Sequence, residues 1–178
     1  MGRQDDLEVH RAKENEGGKL ISMKHLRYLV YVLRHKWYVF IECAKLGIVW
    51  QGIIHDWSKF LPTEWFPYVD FFFGKYAWVR GSNQRPPKDI DDKFDLAWLH
   101  HQHCNPHHWQ WWIRHGDDGS TRVFPMSPRF RMEMLADWRG AGKAQGKSDT
   151  RGFYIANKDR MTLHPETREW IEKQLVIR

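Results

Sequence analysis

The sequence contains little of what stabilises secreted or membrane proteins. It has 2 cysteines in 178 residues, Cys43 and Cys104, so neither a disulfide framework nor a cysteine-based zinc site is expected. It has no run of about 18 apolar residues, the length that a transmembrane helix needs. The first 20 residues are charged and lack the apolar core of a signal peptide. These absences predict a cytoplasmic protein that does not associate with a membrane.

Sustained alternation of apolar and polar residues, which is typical of half-buried strands, is absent from the sequence. Apolar residues instead recur at three- and four-residue steps, as from Ser22 to about Ala44, which predicts helices. Further helices are predicted over 48–60, 62–72, 91–104, 128–139 (ended by glycines at 140, 142 and 146), 149–157 and 165–176, with loops at 80–90 and 115–128. We therefore expect an all-α fold. A flexible arm over residues 1–20 would precede a compact, single-domain helical bundle over residues 21–178.

The composition is basic and rich in aromatic residues. Its 28 Lys and Arg outnumber 22 Asp and Glu, giving a net charge of +6. This balance favours an anionic partner, such as a nucleotide, another phosphate ester or single-stranded nucleic acid, although a merely soluble basic surface explains it equally well. The aromatic surplus would suit a homodimer face, and its members are Phe71, Phe72, Phe73, Tyr76 and Trp78.

An adjacent His-Asp pair, His55 and Asp56, is the first indication of a metal site. Adjacent residues of a helix point about 100° apart, so the pair can bind one ion only near a helix end or bend. Imidazole nitrogen and carboxylate oxygen together suit a divalent ion such as Mn, Fe, Co, Ni or Zn. His35 lies on the preceding helix, and Asp137 stands where a core residue is expected. These four residues are predicted to bind the ion.

Taken singly, the same residues have plainer interpretations. A His-Asp dipeptide is common by chance, and His35 alone would more often be an ordinary core or surface histidine. Asp137 could instead pair with Arg131 or Arg139. The ordered set of His, His-Asp and Asp on successive helices is what favours a metal site.

A cluster of histidines occupies the segment 98–112, and its members are His100, His101, His103, His107 and His108. Imidazoles this close would repel one another if all were protonated, so some are expected to be neutral ligands or hydrogen-bonded. They could bind a second metal ion, or bind and protonate a phosphate group. Alternatively, they cap backbone groups and stack on the neighbouring tryptophans. We expect His101, His107 and His108 to reach the site ahead of the other two.

Two lysines and two tryptophans are predicted to contact the substrate. Lys59 follows the His-Asp pair by about one helical turn and Lys36 follows the first histidine, so each could neutralise a phosphate oxygen. Trp57 and Trp109 could stack on a base. In the simpler alternative, Lys59 pairs with a neighbouring carboxylate, Lys36 is solvated and the tryptophans pack in the core.

Longer motifs surround these residues: GIIHDWSKFLPTEW at 52–65, WLHHQHCNPHHWQWW at 98–112 and EMLADWRGAGKAQG at 133–146. They resemble a family of small phage and bacterial proteins of uncharacterised function, the DUF5662-like proteins, and the resemblance extends over roughly residues 20–175. The order of His, His-Asp and Asp resembles the wider HD superfamily of helical, metal-dependent phosphohydrolases. That resemblance implies an HD-type helical fold and one or two divalent ions. It places the metal ligands at His35, His55, Asp56 and Asp137.

The resulting hypothesis is an HD-type metal-dependent phosphohydrolase that acts on nucleotides. A bound ion would activate water and polarise a phosphoryl oxygen. The groups expected to carry the chemistry are Asp56, Lys59, His101, His107 and His108. Three alternatives remain: a phosphodiesterase or nuclease acting on cyclic or single-stranded nucleotides, an HD-like di-iron oxygenase, and a basic nucleic-acid-binding module with a structural metal.

Overall fold

Helices dominate the architecture. The computed structural model describes the backbone of residues 3–79 and 85–177, and the side chains of residues 23–78 and 85–177. These ranges contain seven α-helices: α1 (Arg3–Lys45), α2 (Val49–Ile54), α3 (Pro62–Phe73), α4 (Lys88–Cys104), α5 (Pro128–Ala144), α6 (Thr150–Asn157) and α7 (Pro165–Gln174). Short 3-10 helices cover Trp57–Phe60, Ala77–Val79, Trp109–Trp112 and Lys158–Arg160. Two short strands, β1 (Ile113–His115) and β2 (Thr121–Val123), pair antiparallel. The all-α prediction is confirmed.

Prolines mark where three of the helices begin. Pro62, Pro128 and Pro165 each occupy the first turn of a helix, where a missing N–H leaves no intrahelical hydrogen bond unmade. Helix α4 begins at Lys88, three residues earlier than predicted, so 88–90 are helical. Residues 80–84 of the predicted loop lie outside the described residues. The predicted loop at 115–128 contains the short strand β2.

The prediction of one continuous helix over 48–60 is wrong. Helix α2 ends at Ile54, and a 3-10 helix starts only at Trp57. Between them Asp56 has a φ of 55°, in the left-handed region, which an α-helix cannot continue through. The break puts the His-Asp pair at a bend, which is what binding of one ion by both residues requires.

Helix α1 is continuous from Arg3, so the segment predicted to be an N-terminal arm is helical from Arg3 onward. The division of the chain into an arm and a domain stays a prediction. None of the helices in the described ranges combines the length and apolar character needed to cross a membrane.

Helices α1 and α5 approach each other closely at Gly140. A Cβ atom on Gly140 would lie 2.7 Å from the backbone nitrogen of Val39, so only glycine permits this approach. The expectation that Gly140 ends its helix is therefore wrong: the residue serves packing, and α5 continues to Ala144. Gly140 lies about one turn after Asp137, and Val39 lies about one turn after His35. The close approach thus brings these two predicted ligands together.

The aromatic residues predicted for a homodimer face pack mostly within the chain. Phe71 stacks on Phe94 with ring centroids 3.9 Å apart. Phe72 and Phe73 pack against a buried cluster formed by α1, α3 and α4. Trp78 is 64% exposed. Homodimerisation stays a prediction.

Glu42 provides a test of the contact between α1 and α5. Its buried carboxylate accepts hydrogen bonds from Nζ of Lys143 at 2.6 Å and of Lys45 at 2.7 Å. Burial opposes ionisation, but these two hydrogen bonds lower the pKa of Glu42 below its ordinary value. Because the folded-state pKa is depressed, the stabilisation is present above the unfolded-state pKa. It is lost as the pH falls through the folded-state pKa.

We expect Glu42→Gln to reduce the free energy of unfolding at pH 7 by about 1 kcal/mol, a modest value because both lysines are partly exposed. The reduction should shrink as the pH falls below about 4. Glu169→Gln is the matched control, since Glu169 pairs with Lys173 at 2.7 Å on the exposed face of α7 and should contribute little. Urea denaturation at neutral and acidic pH measures both variants. Equal effects of the two substitutions, or an effect of Glu42→Gln that is independent of pH, would contradict the interpretation.

Candidate metal centre

The turn after α2 directs the His-Asp pair into the protein interior. His55 and Asp56 are 1% and 2% exposed. Lys36, from α1, donates a hydrogen bond from Nζ to the backbone carbonyl of His55. The same ammonium lies 5.1 Å from the ring centroid of Trp57, whose side chain is exposed. Lys36 and Trp57, both predicted to contact substrate, are thus placed on the outer side of this turn, where Lys36 holds its backbone.

The four predicted ligands converge. His35 Nε2 lies 3.2 Å from both His55 Nε2 and Asp56 Oδ2, and 3.3 Å from Asp137 Oδ1. His55 Nε2 lies 3.3 Å from Asp56 Oδ2 and 3.5 Å from Asp137 Oδ1. Ligand atoms about 2.1 Å from one ion at tetrahedral angles lie about 3.4 Å from one another. These four residues, called the first group below, therefore have the spacing that one divalent ion requires.

A second group uses the other oxygen of Asp56. Asp56 Oδ1 lies 3.4 Å from His101 Nε2 and 3.5 Å from His107 Nε2, and His108 completes a set of ligand atoms within 4.8 Å of one another. Among the described residues, Asp56 Oδ1 and the Nε2 atoms of His107 and His108 are buried without a hydrogen-bond partner. Unpaired buried polar atoms are unfavourable, so this second group is also suited to a bound cation.

The remaining two histidines of the cluster lie away from these groups. The side chain of His100 is 38% exposed and hydrogen-bonds Glu64 Oε1 at 2.8 Å. His103 is exposed on α4. The structure thus places His101, His107 and His108 around Asp56, and leaves the other two outside.

Glu133, which sequence analysis missed, connects the two groups. Its Oε1 atom accepts hydrogen bonds from Nδ1 of His55 at 3.0 Å and from Nδ1 of His107 at 3.2 Å. A carboxylate on Nδ1 fixes the orientation of an imidazole and leaves Nε2 as the ligand atom, an arrangement typical of metal-binding histidines. Glu133 lies four residues before Asp137, on the same face of α5. That spacing is the sequence signal that could have found it.

Glu64 performs the same task for His101. Glu64 is fully buried in the first turn of α3, and its Oε2 accepts from His101 Nδ1 at 2.9 Å. Asn105 donates from Nδ2 to the backbone carbonyl of His101 and to Ser58 Oγ, both at 2.8 Å. None of these supporting residues belongs to a short ligand motif, so no pattern in the sequence indicated them directly.

A cavity of about 240 Å³ adjoins both groups. Lys59 lies in its wall, with Nζ 3.3 Å from Asp56 Oδ2 and 3.2 Å from His101 Nε2. Trp109 lies elsewhere, packed against the core cluster of α5, α6 and α7. The lining comprises Lys59, five residues of the two groups (His35, Asp56, His101, His108 and Asp137), and Tyr28, Tyr31, Tyr68, Phe72, Phe73, Trp98, Ala141 and Gln145.

A family model matches residues 24–177, which include every residue of both groups. The chain belongs to a family of unknown function, DUF5662. No curated protein and no solved structure matches the chain. The resemblance noted from the sequence motifs is therefore confirmed for DUF5662. Membership of the HD superfamily stays a prediction.

The electrostatics of this DUF5662 centre favour positive charge. Burial by itself raises the pKa of a carboxyl group, yet the imidazole of His55 holds the pKa values of Asp56 and Asp137 below their ordinary value. Burial by itself lowers the pKa of His55, but the Asp56 carboxylate and a hydrogen bond with Asp137 raise it well above the usual value. Burial lowers the pKa values of His101 and His108. Ionised carboxylates and the neutral imidazoles of His101 and His108 are the protonation states that bind a divalent ion, whereas His55 would release a proton when it binds one.

The pairing of Glu64 with His101 predicts the position of a proton. An ionised carboxylate only accepts hydrogen bonds, so the proton of neutral His101 must lie on Nδ1, leaving Nε2 unprotonated towards Asp56. Long-range ¹H–¹⁵N correlation spectra at pH 7 measure this directly. Glu64→Gln should weaken the preference of His101 for the tautomer protonated on Nδ1, because an amide both donates and accepts hydrogen bonds. Exposed His103 is the internal control and should populate both tautomers. A proton found on Nε2 of His101 in the unsubstituted protein would contradict the assignment.

Proposed function

We propose that this protein is a metal-dependent phosphohydrolase of the HD type that releases inorganic phosphate from nucleotides. The observation that carries the proposal is the convergence of His35, His55, Asp56 and Asp137, in which five of the six pairs of ligand atoms lie between 3.2 and 3.5 Å apart. The order of these residues in the chain, His, His-Asp and Asp, and the helices that supply them support the same conclusion.

Two ions fit the donor atoms. The first group would bind one ion through two imidazole nitrogens and two carboxylate oxygens, a set that suits Mn, Fe, Co, Ni or Zn. The second group would bind another, with Asp56 shared between the two ions through its two oxygens. When bound, such ions lower the pKa of water and polarise phosphoryl oxygens. In this arrangement His101, His107 and His108 act as ligands, and not as acids.

The other residues of the site bind and orient the phosphoryl group. Lys59 is the only Lys or Arg among the described residues that line the cavity, so its ammonium is the group that neutralises a phosphoryl oxygen. Water adds to phosphorus and the bond from phosphorus to the leaving oxygen breaks. The leaving oxygen takes up the proton that the attacking water releases, so that the products are inorganic phosphate and an alcohol.

The compact cavity favours a small phosphate ester over a polynucleotide, which makes the nuclease alternative less suitable. A binding module with only a structural metal would not need a cavity beside the ions. The nitrogen-rich ligand set is also compatible with a di-iron oxygenase, and iron content together with oxygen uptake distinguishes that activity from phosphate release.

The first test combines elemental analysis of the purified protein with a phosphate-release screen over nucleotides. We expect bound divalent metal and metal-dependent release. His35→Ala and Asp137→Asn should each reduce kcat/KM more than about 100-fold, since even residues that only orient metal ligands cost 10- to 100-fold. His103→Ala and Asp92→Asn, which replace exposed residues of the same types, should have no effect. Full phosphate release by Asp137→Asn, or by metal-free protein, would show that the proposal is wrong.

The stoichiometry of bound metal tests the second ion separately. We expect two ions per chain in the unsubstituted protein and about one in His107→Ala, with His103→Ala again as the control. One ion in the unsubstituted protein would refute the second ion and leave the first unaffected.

A further inference from the structure

Two tyrosine hydroxyls lie unpaired beside the metal centre. Tyr28 and Tyr68 are 1% and 4% exposed, and both line the cavity. Among the described residues, neither hydroxyl oxygen has a hydrogen-bond partner. The hydroxyl of buried Tyr154, in contrast, donates to Glu172 Oε1 at 2.9 Å and accepts from Arg168 at 3.2 Å. Since a buried hydroxyl normally finds a partner, two unpaired hydroxyls on residues that line one cavity point to a ligand of the cavity as the source of their partners.

Aromatic rings form the walls around these hydroxyls. The ring centroid of Tyr28 lies 6.2 Å from that of Tyr68 and 6.0 Å from that of Phe73. Trp98 stacks on His101 with centroids 5.5 Å apart. Aromatic faces bind flat, apolar groups, whereas a phosphate group belongs with Lys59 and the predicted ions. The cavity therefore has one end suited to a phosphoryl group and one end suited to a ring.

The size and charge of the cavity limit what it can hold. Its volume of about 240 Å³ is below the roughly 300–1,000 Å³ typical of pockets for drug-sized ligands, which leaves room for one compact ring-bearing group. Lys59, the only Lys or Arg among the described lining residues, can neutralise one phosphoryl group. Apart from Lys59 and the two predicted ions, the described residues of the lining offer no positive charge for a second or third phosphate.

We propose that the cavity selects phosphate monoesters whose leaving group is one compact ring-bearing alcohol, as in a nucleoside monophosphate. The hydroxyls of Tyr28 and Tyr68 hydrogen-bond to that leaving group. This inference rests on the proposed phosphohydrolase function and adds to it the class of substrate. Tyr28 and Tyr68 are substrate-positioning residues, and they take no part in the cleavage of the phosphate ester.

The first test replaces each hydroxyl alone. Tyr28→Phe and Tyr68→Phe should each raise KM for nucleoside monophosphates about tenfold, which corresponds to about 1.4 kcal/mol, with kcat little changed. Glycerol 2-phosphate, which has no ring, should be hydrolysed equally by the variants and the unsubstituted protein. The unfolding temperature should not fall, because neither hydroxyl has a protein partner. Tyr154→Phe is the matched control and should lower the unfolding temperature while leaving KM unchanged.

The second test measures binding without catalysis. A nucleoside that lacks phosphate should bind to the metal-loaded protein in calorimetric titrations, and both Phe variants should weaken that binding. We also expect kcat/KM to be at least tenfold higher for nucleoside monophosphates than for the matching triphosphates. This inference would be overturned if mono- and triphosphates were hydrolysed equally and both Phe variants kept the KM of the unsubstituted protein. That result would leave the proposed phosphohydrolase function unaffected. Absence of phosphate release from every ester would instead overturn the proposed function, and absence of nucleoside binding would overturn the assignment of the ring-binding end.

Discussion

The burial of negative charge is the constraint on which the rest of this structure depends. Asp56, Glu64 and Glu133 are almost completely removed from water, and Asp137 lies beside them. Carboxylates in such a place are unfavourable unless positive charge or hydrogen-bond donors face them on all sides. Imidazoles and the Lys59 ammonium surround these carboxylates, and aromatic residues line the adjoining cavity. The polar centre and the apolar walls of the cavity are therefore parts of the same site.

Two features of the backbone bring the charged side chains of the centre together. The close approach at Gly140 lets α5 pack against α1, so that Asp137 meets His35. The left-handed backbone at Asp56 interrupts the helix after α2, and two consecutive side chains are buried there. Gly140 contributes no ligand atom, and the turn contributes only those of Asp56. Both features are nevertheless needed for ligands from distant parts of the sequence to approach the same ion.

The sequence was informative where a short-range pattern carries the information. Helical periodicity and first-turn prolines gave the fold class and three helix starts, and the spacing of His35, the His-Asp pair and Asp137 gave a set of side chains that does converge. The bend at Asp56 was not recognised as the end of a helix, because the apolar periodicity continues through it. Glu64, Tyr28 and Tyr68 were missed because their importance arises from three-dimensional packing, whereas the four-residue spacing between Glu133 and Asp137 was a usable signal in the sequence.

The single oxygen of Glu133 that accepts from both His55 and His107 has a mechanical consequence. Because one atom of α5 sets the orientation of an imidazole in each group, any rotation or sliding of that helix alters both groups at once. The geometries of the two groups are therefore coupled through Glu133. Substitutions that displace α5, even far from the polar centre, would therefore alter both groups together.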